Sequence, residues 1–263
     1  MHKIFLLLIS FFSLSKSFFI DSKNSVAILI HGTWGINSAW HQPGDLFYET
    51  LKTNLAQAQI KLINFNWSGQ LCYAKRQAAG LNLANLIKSY PADTSFIMIT
   101  HSHGGNVGII ASQNLTQLGQ IEAFYSLGLP IDTKHYLPNM QVIKNFYHIF
   151  SFGDMHQTVL GSHERVFPNQ PGIYNLNIEV NQIRPQHEEL HELTIAKWLL
   201  QIAKIIANLD KTSNHFLAIF QDQVAPVISI DHNIPAKLDY DQRWHQRIHQ
   251  SLLSPYSSGR SLS

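Results

Sequence analysis

Cysteine is almost absent from this 263-residue chain: Cys72 stands alone, so no intrachain disulfide can form and the fold must rest on its core. Charge is scarce as well, at 14% of residues with a formal net of +2, and no basic stretch is interleaved with aromatics. A nucleic-acid-binding surface therefore has no support. The apolar run near the start, Ile4–Phe12, stops short of what a bilayer span requires. Neither phosphate-cradling signature, G-x-G-x-x-G or G-x-x-x-x-G-K-[ST], occurs, which leaves nucleotide binding without a motif.

What the chain does have is apolar bulk. Hydrophobic residues make up 45%, enough for one substantial core in a single domain. Histidine is abundant, with 15 residues, most of which belong to surface or core, leaving two or three to carry chemistry. Met1-His2-Lys3, the short run Ile4–Phe12 and Ser13-Leu14-Ser15-Lys16-Ser17 form a positive start, an apolar segment and small residues at −3 and −1. Residues 1–17 are thus expected to be a signal peptide that sends the protein to the periplasm or outside the cell.

From Ser25 onward strand-like and helix-like segments alternate. Val26–Ile30, Lys61–Trp67, Phe96–Thr100, Ile121–Leu127, Ile143–Phe150 and Tyr174–Ile183 read as strands. Leu46–Leu55, Tyr73–Ile87, Val107–Leu118 and a long stretch from about Leu190 to Leu209 have helical spacing. Strands that are continuous apolar runs, alternating with helices, predict an α/β fold: a mostly parallel sheet with helices on both faces. The domain is expected to occupy residues 24–212, with 213–263 a C-terminal appendage of unassigned role and a frayed polar end.

The segment ITHSHGGN, residues 99–106, ends one of these strands on His101-Ser102-His103-Gly104-Gly105. A serine in a sharp strand-to-helix turn needs small neighbours, and the glycines after it supply them. Such a turn also presents the His103 amide at a helix start, where a negative oxygen is favoured. The plainer reading is a serine N-cap with a glycine-eased packing contact. A second strand ends on LIHGTWG, residues 29–35, and its turn would aim the Thr33 amide at the same point.

These two motifs resemble the α/β-hydrolases, and within them the small serine esterases and lipases with His-Gly-x and His-Ser-His-Gly-Gly sequences. NWSG at 66–69, followed by Arg76, Ala78 and Ala79, adds to the likeness, which covers roughly residues 24–209; Thr100, where a glycine is usual, departs from it. The resemblance implies an α/β-hydrolase fold and a triad in the order serine, acid, histidine. Ser102 is the nucleophile, and Asp154, in a turn after the strand ending at Phe150, is the acid, with Asp132 as substitute. His187 is the favoured base, because Pro185 keeps the chain extended before it, and His191 is the substitute. Thr33 and His103 supply the oxyanion amides, and Trp34, Trp40 and Phe167 are candidate walls for an acyl chain. The stretch Pro130–Gln141 is too short for a large lid, so an open site with a minimal lid is expected. No cofactor and no metal is called for. The partner is a small-molecule or lipid ester, met in solution or at a transiently contacted lipid surface, with no nucleic acid involved.

Two other readings stand beside this one. His187-Glu188-Glu189-Leu190-His191 matches His-Glu-x-x-His, the zinc-peptidase pattern, in which His187 and His191 would share a helix face with Glu188 as base. Pro185 places it at a helix entrance, and Thr194 and Lys197 stand where a third ligand is expected. The other reading is a binding module on the same fold without chemistry.

Overall fold

The computed structural model describes residues 24–156, 164–209 and 213–232. The expected signal peptide and the expected frayed end lie outside them.

Six strands and three helices alternate first: β1 (Ser25–Ile30), α1 (Leu46–Gln57), β2 (Lys61–Phe65), α2 (Tyr73–Lys88), β3 (Ser95–His101), α3 (His103–Gln113), β4 (Ile121–Leu127), β5 (Ile143–Phe150) and β6 (Ile173–Val180). Then come a three-ten turn at His187–His191, α4 (Leu193–Trp198), α5 (Gln201–Ala207), β7 (His215–Phe220) and β8 (Val227–Ile230). All eight strands join one sheet in the order β2-β1-β3-β4-β5-β6-β7-β8, parallel except for β8. With helices on both faces, this is the expected α/β-hydrolase fold. No helix among the described residues is long and apolar enough to cross a membrane.

Period-two alternation along each strand sends neighbouring residues to opposite faces. In β3, Phe96 and Met98 pack with Leu83, Ile87, Val107 and Ile110 of α2 and α3. Ile97 and Ile99 pack on the other side with Phe47, Leu51 and Leu55 of α1 and Ile195 of α4. On that second face Tyr125, Tyr147 and Tyr174 stand in register on adjacent strands and stack, with ring centroids 4.9 and 5.2 Å apart. Asp45 fixes the start of α1, its carboxylate accepting from the Phe47 amide at 2.8 Å.

Three features differ from the sequence reading. The helix expected over 190–209 is broken into a three-ten turn, α4 and α5. Periodicity persists through the breaks because Leu190, Ile195, Leu199, Ile202 and Ile206 all bury toward the sheet. Helix α3 begins at His103 and ends at Gln113, rather than spanning 107–118. Beyond residue 212, β7 and β8 extend the same sheet, so the strand leading to His187 is followed by two more. The segment between β4 and β5 carries no helix, as a minimal lid requires.

Candidate active site

The site is assembled at the carboxyl ends of β1, β3, β5 and β6. Ser102 sits between β3 and α3 at φ 53°, ψ −135°, a backbone conformation that non-glycine residues rarely adopt. The turn closes because its neighbours lack side chains. A Cβ on Gly32 would come within 2.7 Å of Ser102 Cβ, and one on Gly104 within 2.5 Å of the His31 carbonyl oxygen. The Ser102 amide donates to Leu127 O at 2.8 Å, and the Gly128 amide to Ile149 O at 2.9 Å, so the sheet ladder continues into both turns.

Asp154 is fully buried after β5, and His187 opens the three-ten turn after β6. His187 Nδ1 donates to Asp154 Oδ2 at 2.7 Å, which leaves Nε2 with its lone pair free for a proton. Gly128, at φ 61°, lies directly over this pair: a Cβ there would meet Asp154 Oδ2 at 2.9 Å and His187 Nδ1 at 3.0 Å. Buried Arg165 donates to Ser151 O at 3.2 Å, and although burial lowers its pKa, the nearby Asp154 carboxylate offsets part of that cost. Serine turn and acid–base pair meet through His101, whose Nε2 donates to the His187 carbonyl at 3.0 Å with the two rings 4.6 Å apart. Ser102 and His187 are each only 5% exposed.

The Thr33 and His103 amides have no hydrogen-bond partner among the described residues. The loop carrying Thr33 is braced by NWSG. Trp67 Nε1 donates to His31 O at 2.8 Å, and Trp34 N donates to Gly69 O at 2.7 Å. His31 Nδ1 donates to Gly32 O at 2.8 Å while Nε2 accepts from the Trp67 amide at 3.3 Å, which defines a neutral ring. Burial lowers its pKa, in agreement. Beside the serine, burial above all, with the Arg76 and His187 charges, lowers the His103 pKa to about 3. Burial holds His101 well below the usual histidine value.

The alternates occupy other places. Asp132 is bonded to His135 Nδ1 at 2.7 Å, away from the His187 ring that Asp154 holds. His191 Nε2 faces Glu188 Oε2 at 3.2 Å and stacks on Trp40, with ring centroids 5.0 Å apart. The paired-ligand geometry of a zinc peptidase is not made. The segment is three-ten rather than α, so residues four apart no longer share a face, and His187 Nδ1 is taken by Asp154. Trp34 is 77% exposed, whereas Trp40 is buried against Phe47, His101 and His191, and Phe167 lies in the core. The sequence reading quoted His101 within the serine motif without placing it in the triad, and it gave no role to Trp67, Gly128 or Arg165. NWSG was noted only as a likeness, and nothing in the local pattern marked Gly128 or Arg165.

No protein-family model matches the chain, and no curated protein matches it. Among solved structures, it is similar to an α/β-superfamily hydrolase from Xanthomonas campestris (12% identity, 70% of this chain and 99% of that one, TM-score 0.44). A methylesterase from Arabidopsis gives 14% identity over 70% and 99%, TM-score 0.44. A Trichoderma reesei cutinase gives 21% identity over 40% and 52%, TM-score 0.32, so the chain spans about half the cutinase's length. Likeness at this level adds nothing to what the strand order and the serine turn establish, which is an α/β-hydrolase fold with Ser102 in the strand-to-helix turn after β3.

Proposed function

We propose that the chain is a serine hydrolase of the α/β-hydrolase superfamily that cleaves carboxylic esters through an acyl-enzyme. The observation that carries this reading is a serine at φ 53° whose chain neighbour His101 donates to the carbonyl of a buried histidine, that histidine being bonded through Nδ1 to a buried aspartate at 2.7 Å. In the reaction Ser102 Oγ attacks the ester carbonyl carbon and its proton passes to His187 Nε2. The carbonyl oxygen, now negative, accepts hydrogen bonds from the Thr33 and His103 amides. The tetrahedral species collapses, the alcohol leaves with the proton from His187, and water repeats the sequence to free the acid and the serine. Asp154 holds the ring in the right tautomer and balances the imidazolium. Exposed Trp34 is the acyl-chain contact in this scheme, and Trp40 supports the site from beneath.

A binding module without chemistry is disfavoured, because a strained serine, a base and a buried acid are costly to keep without a reaction. Export of the protein, and contact with an ester-bearing lipid surface, accompany the proposal. A fluorophosphonate probe tests it: the native chain should label and Ser102→Ala should not. Equal labelling of the two would remove the nucleophile. Hydrolysis rates across esters of rising acyl length would then define the substrate.

A further inference from the structure

His-Glu-Glu-Leu-His does not form a peptidase centre, yet it places metal-binding groups together in a different combination. A ring nitrogen of His101, a ring nitrogen of His191 and a carboxylate oxygen of Glu188 lie within 4.8 Å of one another. Two of the three are already close, with His191 Nε2 3.2 Å from Glu188 Oε2. Two histidines and one carboxylate, with a place left for water, make a donor set that zinc accepts, and tetrahedral bonds of ~2.1 Å put donors ~3.4 Å apart. The Glu188 side chain is 78% exposed, so it can swing to close the remaining gap and gives an ion a path from solvent. The other two donors are held. The His191 ring stacks on Trp40, and the His101 ring packs edge-on against both Trp40 and His191.

We propose that His101, Glu188 and His191 form a zinc-type divalent metal site whose occupation restrains the neighbouring catalytic histidine. The link is short. His101 donates to the His187 carbonyl at 3.0 Å, and its ring lies 4.6 Å from the His187 ring. A divalent charge at that distance opposes the imidazolium that His187 becomes when it takes the serine proton. Ester binding does not require that charge, so the effect falls on kcat rather than KM. A second trio, Asp154, His156 and His187, also lies within 4.8 Å, but Asp154 is fully buried and its Oδ2 and His187 Nδ1 are bonded to each other. Filling it would require breaking that bond. The metal site itself stands on the donor geometry, and only its inhibitory effect rests on the hydrolase reading.

Cobalt(II) titration of the full chain, read by visible absorption, tests the site independently of activity. Binding of one equivalent with the strong bands of a four-coordinate ion is expected, lost in Glu188→Gln and in His191→Phe, and retained in His156→Ala. The phenylalanine keeps the stack on Trp40. In an ester assay zinc should lower kcat on the order of tenfold with KM steady, reversibly on adding a chelator. The two variants should keep basal activity and lose the inhibition. Absence of the one-equivalent cobalt spectrum in the native chain overturns the site. Zinc inhibition that persists in Glu188→Gln and His191→Phe but disappears in His156→Ala overturns the assignment and places the ion on the catalytic pair. A chain without esterase activity would refute the hydrolase reading while leaving the cobalt result to decide the metal site.

Discussion

Acid should unfold this protein well before its carboxylates are protonated, because buried histidines are held below their ordinary pKa in the folded chain: His31 and His41, and above all the three that follow. His148 is fully buried, donates from Nε2 to Arg165 O at 3.2 Å, and is held by burial and the Arg165 charge at a pKa of about 3. Burial first, with the Arg76 and His187 charges, puts His103 at about 3, and His101 is pushed well below its ordinary value by burial and the neighbouring histidines. In the unfolded chain each returns to about 6.5. These lowered values contribute stability that is complete above pH 6.5 and is lost as pH falls toward the folded values, since only the unfolded state takes up protons in that window. At pH 5.5 the loss is about 1.4 kcal/mol per histidine, or about 4 kcal/mol for three, against a total stability of about 5–15 kcal/mol. With a urea m-value of about 3 kcal/mol/M for a chain of this size, these three alone should lower the unfolding midpoint by at least about 1 M between pH 7.5 and 5.5. Equilibrium urea titrations followed by circular dichroism measure this directly. His148→Gln, which removes one such group, should reduce the pH dependence by about 1.4 kcal/mol, or about 0.5 M in the midpoint. A midpoint that stays constant from pH 7.5 to 5.5 would show that the buried rings are not neutral and would refute the reasoning.

Asp154→Asn should lower kcat by about 10³–10⁴-fold with the fold intact by circular dichroism, because the His187 tautomer is no longer imposed. His187→Ala should cost about 10³-fold or more, while His191→Ala costs far less; steady-state kinetics rank the two, and the reverse order would reassign the base. Gly128→Ala forces a methyl to within 3.0 Å of both Asp154 Oδ2 and His187 Nδ1, so kcat should fall by up to about 100-fold with little change in KM. Trp67→Phe removes the bond to His31 O and leaves a buried carbonyl unpaired, which should lower the urea unfolding free energy by about 1–3 kcal/mol.

The serine turn was legible because a serine followed by glycines can end a strand sharply. Asp154 and His187 were nominated through the triad order that the resemblance implies, with Pro185 favouring His187 over His191 by forcing an extended approach, and no local rule paired them. Strands β1 to β6 were legible as apolar runs. The break at Leu199 and Leu200 was not, since a helix and a pair of short helical segments bury the same faces. Strands β7 and β8 escaped for a related reason. Residues of His215–Phe220 are alternately half-buried, the pattern of a strand near a sheet edge, and no helix follows to complete the alternation. His101 and Gly128 act through contacts with residues far along the chain, at His187 and Asp154, and no local pattern encodes such a meeting.

The ladder bonds Ser102 N to Leu127 O and Gly128 N to Ile149 O make the serine turn and the Gly128 turn the last rungs of the central sheet. Their amides should therefore exchange with solvent only when the sheet itself opens, on the timescale of global unfolding rather than of loop motion. The exposed Trp34 segment is held instead by the NWSG brace, including the Trp34 N to Gly69 O bond, and by a local turn bond from Gly35 N to Gly32 O. Under the proposed hydrolase reading, replacing Trp34 should therefore change acyl preference while Ser102, Asp154 and His187 keep their places on the sheet edge.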